Sequence, residues 1–377
     1  MTNVRAQQGL SLIEIMVALA IGAVLMLGLV QVFGASRTAY QMSEGMARVQ
    51  ENARFAMDFL QRDIRMAGHY GCVNDQAHLQ TPGALETHFG AAPFQPLDFT
   101  VSIQGYEAEN TGPGDEAQIG GGAAPAGIPA EILALNPYPN SDILVLRYLS
   151  GSGAPVVGIA AAGAAEVLRL ANGRWESLTT GGVNNPVLFG VADCSYVDIF
   201  QGASAGGAGE VEVTVTGPSE GLTNLIGRYT PHPSGQTMLY RAESIVYYVS
   251  ENGQGVPALF RARFDGAAYV AEELVEGIES LQLIFGLDRN NDLAAGPPTG
   301  YIDRLSVADP AWGAIDWRGT GLVQVGLLAR SPNRAAAEQA PQRRVLGLTF
   351  TPPAVDDGMY RAGYETTIAL RNRLYGN

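Results

Sequence analysis

The stretch LSLIEIMVALAIGAVLMLGLVQVFGA, residues 10–35, decides how this chain is organised. It carries one charged side chain, that of Glu14. Because about 20 apolar residues are enough for a helix to cross a lipid bilayer, the stretch predicts a single membrane-spanning helix. Arg5 lies before this segment and favours a cytoplasmic N-terminus, whereas Arg37, just beyond it, weakens that orientation signal.

The residues ahead of the apolar segment predict an unusual processing site. Residues 1–9, MTNVRAQQG, are short and polar and end in Gly9. An ordinary secretory signal is cleaved after its apolar core, but here the candidate site lies before that core. Cleavage after Gly9 would remove the leader and leave the apolar helix on a mature protein that begins at Leu10.

Glu14 stands among apolar neighbours such as Ile13 and Ile15. A carboxylate at this depth costs a few kcal/mol, as an order of magnitude, unless it meets a partner. Glu14 is therefore a candidate functional residue. The alternative is that its side chain reaches the nearby membrane interface and has no further role.

The segment GLSLIEIMVALAIGAVLMLG resembles the class III signal of type IV pilins and pseudopilins. Gly9 matches the cleavage position of that family, Leu10 the N-methylated first residue, and Glu14 the acidic fifth residue of the mature chain. The resemblance implies that a prepilin peptidase cleaves and methylates the chain, and that Glu14 pairs with the terminal amine of a neighbouring subunit. The sequence departs from the family in one place, because the first mature residue is usually Phe.

The amphipathic segment at residues 36–68 follows the apolar one without a turn signal. Its apolar residues recur at steps of three and four, which predicts one buried helix face. They are Met42, Met46, Val49, Ala53, Ala56, Leu60, Ile64 and Ala67. No proline interrupts residues 10–67, so we expect one helix of roughly 85–90 Å that stops near Gly68. A coiled-coil linker is the alternative interpretation of this stem.

Composition predicts a folded, β-rich ectodomain over residues 69–377. Hydrophobic residues make up 46% of the 377 residues and charged residues 16%, and the 47 glycines and 21 prolines indicate many turns. The net charge is −14 and every basic residue other than histidine is an arginine. Because an acidic surface repels phosphate backbones, the chain is not expected to bind nucleic acid directly.

Short alternating or β-branched segments predict the strands of this ectodomain. They lie at residues 141–149, 209–217, 243–250, 258–264, 281–287, 321–330 and 366–373. The Gly-, Ala- and Pro-rich stretches at residues 111–129 and 151–165 are predicted to be surface loops. The expected fold is α+β and pilin-like, with the long N-terminal helix packed on an antiparallel β-sheet head. A boundary near residues 201–210 would divide the head into two subdomains.

Five blocks beyond the leader resemble the PilW-type minor pilins. They are RMAGHYGC (65–72), SDILVLRY (141–148), DCSYVDIFQ (193–201), LVEGIESLQLIFGLDRNND (274–292) and TTIALRNR (366–373). The resemblance implies a structural subunit that initiates pilus assembly and supports adhesion, twitching and DNA uptake. Its implied partners are other major and minor pilins, the prepilin peptidase and the inner-membrane assembly platform. Its implied location is the inner membrane, with a periplasmic head, and then the pilus fibre.

Two other functions remain open. A minor pseudopilin of a type II secretion system would share the leader and the stem. A membrane-anchored periplasmic binding protein or enzyme would use residues 10–35 as a plain anchor.

Cys72 and Cys194 are the two cysteines of the chain and show no CxxC spacing. If the head lies outside the cytosol, a single disulfide between them is expected. Two buried free thiols are the alternative. On the PilW resemblance, the disulfide ties the base of the long helix to the sheet.

Enzyme chemistry and cofactors are not predicted. The histidines at positions 69, 78, 88 and 232 form no zinc-hydrolase motif, and no nucleophile elbow, P-loop or dinucleotide fingerprint is present. No bound cofactor is therefore expected.

The segment DRNND is a weak calcium candidate. Asp288, Asn290 and Asp292 alternate as the first ligands of a calcium loop do, and Asp303 is a further candidate ligand. The segment lacks the glycine and the glutamate of an EF-hand loop. A turn rich in Asp and Asn is therefore the favoured interpretation, and no metal is predicted.

Trp312 and Trp317 lie close together in PAWGAIDWRG. An exposed patch for another subunit is one interpretation. Buried aromatic packing is favoured, because tryptophan is highly buried on average.

Overall fold

The computed structural model describes residues 11–74, 83–89, 95–163, 165–204, 209, 211–217, 222–290, 298–335, 342–353 and 355–373. Five of the residues singled out above lie outside these ranges, namely Arg5, Gly9, Leu10, His78 and Asp292.

The longest element is helix α1, which spans Leu12–Met66. Its 55 residues correspond to roughly 80 Å at the usual helical rise. The prediction of one continuous helix through both segments is confirmed. The helix ends where Ala67 adopts an extended conformation and Gly68 takes a positive φ of 73°, which glycine accepts without strain.

The two halves of α1 differ in burial. Side chains from Ser11 to Glu44 are exposed, apart from the partly covered Gly22. From Gly45 onward one face enters the head, and the predicted stripe is confirmed from Val49 to Ile64. Gly45 is needed for close approach, because a Cβ there would lie 3.1 Å from the Cβ of Ala335.

The remaining elements are short helices and many strands. The further helices are α2 (Ala130–Leu133), α3 (Leu225–Arg228) and α4 (Ala314–Arg318), with 3-10 turns at Gln95–Leu97 and Trp175–Leu178. The strands are, in chain order, β1 (His69–Tyr70), β2 (Val73–Asn74), β3 (Leu85–Thr87), β4 (Ile103–Tyr106), β5 (Glu116–Gln118), β6 (Ile143–Ala162), β7 (Ala165–Leu170), β8 (Leu188–Ala192), β9 (Val197–Ser204), β10 (Glu212–Val215), β11 (Met238–Glu251), β12 (Pro257–Phe264), β13 (Tyr269–Glu276), β14 (Ile278–Asp288), β15 (Ile302–Ser306), β16 (Thr320–Arg334), β17 (Arg343–Val345), β18 (Leu348–Thr351) and β19 (Met359–Ala369).

The largest sheet runs in the order β13-β12-β11-β8-β9-β10-β7-β6-β4, with β3 paired in parallel to β9. The other pairings in this sheet are antiparallel. Because β6 also pairs with β11, the strands β11, β8, β9, β10, β7 and β6 close into a barrel. Aromatic and branched side chains, including Phe189, Phe200 and Val213, fill one core cluster there.

The stem half of α1 packs against a second antiparallel sheet, in the order β15-β14-β16-β19. The core under the helix takes residues from both sheets, including Leu146 and Tyr247 from the large sheet and Leu283, Val325 and Ile368 from the second. Smaller sheets are formed by β1 and β2 and by β17, β18 and β5. A long N-terminal apolar helix joined to a large antiparallel region gives an α+β arrangement.

One loop prediction is wrong. Residues 151–165 were expected to form a surface loop, yet β6 continues to Ala162. The small residues have a packing reason, because a Cβ at Gly153 would lie 2.6 Å from the ring of Tyr240. The stretch at residues 111–129 likewise contains the short strand β5. Of the predicted boundary at 201–210, residues 205–208 and 210 lie outside the described part, and the boundary stays a prediction.

Candidate functional site

The first turn of α1 contains a capping box. The Ser11 hydroxyl accepts a hydrogen bond from the backbone N–H of Glu14 at 3.2 Å, and the Glu14 carboxylate accepts one from the backbone N–H of Ser11 at 3.2 Å. Glu14 therefore has a partner within its own chain, and it stabilises the start of the helix. Sequence reasoning missed this role, although S-x-x-E at residues 11–14 is its usual signature.

The first half of α1 presents apolar side chains on all sides. Its most apolar 18-residue window has a mean hydropathy of 2.6 and none of it is buried. The exposed large apolar residues up to residue 35 are Leu12, Ile13, Ile15, Met16, Val17, Leu19, Ile21, Val24, Leu25, Met26, Leu27, Leu29, Val30, Val32 and Phe33. By length and composition the helix can cross a membrane, which is consistent with membrane anchoring. Cleavage after Gly9 and methylation of Leu10 stay predictions.

The stem half carries a buried carboxylate, whereas Glu14 in the first half is exposed. Asp63 is buried, and its Oδ2 accepts hydrogen bonds from Tyr247 Oη at 2.6 Å and from Arg261 Nη1 at 3.4 Å. Burial, and then the charge of Asp63, raises the pKa of Tyr247 well above its ordinary value. Asp63 thus joins the helix to two adjacent strands of the large sheet.

Cys72 and Cys194 form a disulfide with their Cα atoms 4.8 Å apart. Cys72 lies shortly after α1, and Cys194 lies in the turn between β8 and β9. The bond therefore links the end of the helix to the barrel. Because it closes a separation of 122 residues, it stabilises the head by about 4–5 kcal/mol in the chain-entropy view.

Asp288, the first member of the weak calcium candidate, already binds protein donors. Its Oδ1 accepts from the backbone N–H groups of Asn290 and Thr299 at 2.8 and 2.9 Å, and its Oδ2 from that of Gly300 at 2.6 Å. Asp303 instead approaches Arg289 at 3.7 Å. These bonds favour a turn held by Asp288 over a calcium loop.

The structure brings together three residues that the sequence did not connect. Glu86, His88 and Asp198 place potential ligand atoms within 4.8 Å of one another. The buried Asp198 is also contacted by His88 Nε2 at 2.6 Å, by Arg228 Nε at 2.8 Å and by Tyr229 Oη at 2.5 Å. Because the Arg228 guanidinium already neutralises this carboxylate, the cluster is an ion-pair network that joins β3, β9 and α3. The local parallel pairing of β3 with β9 was not visible in the sequence.

The two tryptophans pack together. Trp317 is buried, and its ring meets those of Trp312 and Phe285 edge to face at centroid distances of 4.8 and 5.1 Å. Trp312 is partly buried against the same core. The interpretation of these residues as core aromatics is confirmed.

A pair of carboxyl groups lies at the start of β6. Asp142 is buried and accepts hydrogen bonds from the backbone N–H groups of Ala108 and Leu283 at 2.9 and 2.8 Å. Burial, and then the charge of Asp142, raises the pKa of Glu107 far above its ordinary value. Burial beside the Asp142 carboxylate therefore favours the protonated form of Glu107.

Two separate parts of the chain match models of known protein families. The family model for the prokaryotic N-terminal methylation motif matches residues 4–30, and the family model for type IV pilus-assembly protein W matches residues 246–372. No curated protein and no solved structure matches the chain significantly. The first match covers the start of α1, and the second runs from within β11 past β19. These families are structural and not catalytic, and the two matches support a PilW-type type IV pilin with a class III signal.

Proposed function

We propose that the chain is a minor pilin that is made as a prepilin and matured at its N-terminus. A prepilin peptidase cleaves after Gly9 on the cytoplasmic side of the inner membrane and methylates the amine of Leu10. The match of residues 4–30 to the N-terminal methylation motif carries this proposal. The exposed apolar half of α1 agrees with this proposal, since cleavage after Gly9 leaves that half on the mature protein.

The mature chain enters the filament through the first half of α1. Neighbouring helices replace lipid around its apolar side chains. Among the described residues of the single chain, Glu14 bonds to Ser11 within the first turn. In the filament, the Glu14 carboxylate pairs with the terminal amine of the adjacent subunit, so that a buried charge finds a full counter-charge.

The ectodomain is a pilin-like head that stays in the periplasm until assembly. The whole chain comprises the leader (1–9), the filament-core helix (10–35), the stem (36–68) and the β-rich head (69–377). A subdomain boundary lies near residues 201–210 of the head. The head helps to initiate assembly, together with major and minor pilins and the inner-membrane platform. The match to the type IV pilus-assembly model favours this role over that of a type II secretion pseudopilin.

The processing step is tested by a Gly9→Val variant of the full chain, expressed with its prepilin peptidase. We expect the variant to retain its leader and to be absent from pili, because a larger residue blocks the cut. The readout is the mass of the N-terminal peptide, which reports both cleavage and methylation. Gly22→Ala is the matched control, since a Cβ at Gly22 meets nothing within 4 Å. Normal maturation of Gly9→Val would refute the proposal.

A further inference from the structure

A concave pocket of about 350 Å³ opens on the face of the large sheet where Arg261 also reaches Asp63 of α1. Strands β11, β12 and β13 form its floor, and the loop at residues 182–187 forms one wall. The volume lies within the range of small-molecule sites. The roles of Glu14, the disulfide and the stem described above do not involve this pocket.

The floor carries a triad of two arginines around one carboxylate. Glu243 is almost fully buried and accepts hydrogen bonds from Arg241 Nε at 2.6 Å and from Arg263 Nε at 2.8 Å. Arg241 is fixed further by the carbonyl oxygens of Leu178 and Thr180, at 2.6 and 2.8 Å. Two positive charges and one negative charge leave this triad with a net charge of +1, in a protein whose net charge is −14.

Arg263 supplies the unsatisfied donors. Its Nε is used by Glu243, but no residue in the described part of the chain hydrogen-bonds to its two Nη atoms. Its side chain is 23% exposed and lines the pocket. Arg261, two residues earlier on the same face, is different because it pairs with both Asp63 and Glu272. Arg263 is thus held in place at one nitrogen and open at the other two.

Asp265 also lines the pocket and forms no salt bridge with Arg263. Asp265 accepts hydrogen bonds from the backbone N–H groups of Ala267 and Ala268, both at 2.9 Å, and these bonds lower its pKa. Asp265 therefore holds the β12–β13 turn. A guanidinium that lines an open pocket and has two Nη atoms without a partner among the described residues is suited to bind a carboxylate through two parallel hydrogen bonds.

The wall of the pocket adds uncharged polar groups. Asn184 and Asn185 are exposed and line the pocket, and their side-chain amides bond to none of the residues described in the structure. Each amide offers both donors and an acceptor, which is the pattern that hydroxyl groups match. Val270, also exposed at the rim, gives an apolar surface for a C–H face. The lining therefore favours a small ligand that is acidic and rich in hydroxyl groups.

We infer that this pocket binds an acidic sugar, with the sugar carboxylate on the Nη atoms of Arg263 and its hydroxyls on Asn184 and Asn185. This activity goes beyond the structural role proposed above and does not depend on processing at Gly9. It would let the head recognise uronate-type residues of a polysaccharide. The carboxyl terminus of a peptide has the same charge but lacks the hydroxyl groups.

The test is titration calorimetry of the full chain in detergent with D-glucuronate. We expect saturable binding by the wild type. In Arg263→Gln the affinity for D-glucuronate should fall by at least about tenfold, since one charge-assisted bidentate contact is removed. Arg169→Gln is the control, because Arg169 is an arginine on another strand whose Nε also faces a glutamate, Glu212, at 3.3 Å. This control should bind D-glucuronate as the wild type does.

Two further measurements separate a true site from a folding defect and from other ligands. The double variant Asn184→Ala/Asn185→Ala changes exposed loop residues, and it should weaken D-glucuronate binding while thermal unfolding stays unchanged. Glucuronamide, which lacks the charge, and the dipeptide Ala-Ala, which lacks the hydroxyls, should bind at least about tenfold more weakly. The inference would be overturned if either compound bound as tightly as D-glucuronate, or if Arg263→Gln bound D-glucuronate as tightly as the wild type. Absence of saturable D-glucuronate binding to the wild type would also overturn it.

Discussion

The two halves of α1 have the same secondary structure and opposite surroundings. From Leu12 to Ala35 the helix is apolar on all sides and almost entirely exposed, whereas from Gly45 onward it is apolar along one stripe that the head covers. A helix that is hydrophobic all round requires an apolar environment on every side. The head supplies that environment only to the second half. The first half therefore depends on lipid or on other helices.

The carboxylates of the two halves show the same difference. Asp63 is buried and bonded to Tyr247 and Arg261, so its partners are built into the head. Among the described residues, Glu14 bonds only to Ser11, which caps the same turn. The head thus covers one face of one half of the helix, whereas the other half has no such cover in the described part of the chain. Three experiments test this division.

The largest effect is expected from a core truncation in the stem half. Leu60→Ala should lower the free energy of unfolding of the head by about 3 kcal/mol, because Leu60 is fully buried in the core under the helix. Leu25→Ala, in the exposed half, should leave this free energy unchanged. Urea unfolding of the full chain in detergent, followed by tryptophan fluorescence, measures both variants. Similar losses in both variants would show that the two halves unfold as one unit.

A smaller effect is expected from the two carboxylates. Asp63→Asn should cost about 2 kcal/mol, because it removes the charge that Arg261 faces in a partly buried position. Glu14→Gln should not change head stability, although on the proposed function it should stop pilus assembly. Unfolding curves and pilus yield are measured for both variants. Normal pilus assembly by Glu14→Gln would contradict the proposed pairing with a neighbouring amine.

The smallest effect concerns pH. Because burial raises the pKa of Glu107 above its ordinary value of 4.5, the folded head holds a proton that the unfolded chain releases. The stability from this pair is complete below about pH 4.5 and falls as pH rises toward the higher pKa of the folded state. Glu107→Gln keeps a donor for Asp142 and should be more stable than the wild type at pH 8 by about 1 kcal/mol.

The control for this pH effect is the first half of α1. Its helicity in detergent, measured by circular dichroism, should not change over the same pH range. Asp142 bonds to the backbone of Leu283, which lies in the core under the stem. The pH effect therefore belongs to the stem half and the head. Parallel loss of stability in the wild type and in Glu107→Gln would rule out the buried proton.

Local patterns in the sequence predicted the helix and its stripe, because both depend on residues three and four positions apart. The strand at residues 151–162 was missed, since its glycines and alanines have low strand propensity and their packing partner Tyr240 is distant in the chain. Closure of the barrel depends on the pairing of β6 with β11, which no local pattern encodes.

The sequence predicts only part of the pocket on strands β11, β12 and β13. The alternation in RARF places Arg261 and Arg263 on one sheet face. Their neighbours Arg241 and Glu243 join them only through the register of β11 and β12. Likewise, the cluster of Glu86, His88 and Asp198 depends on a parallel pairing between distant strands.

The order in which the chain is made has a consequence for the stem. Strand β19 covers the stem, so that Gln61 bonds to Thr366 across 305 residues and Asn372 bonds to the backbone of Arg65 across 307. The first part of the head to emerge is thus covered by the last strand described. Its apolar stripe stays uncovered until that strand is made, and contacts so distant in sequence favour slow folding. The core under the stem is therefore complete only when nearly the whole chain is available.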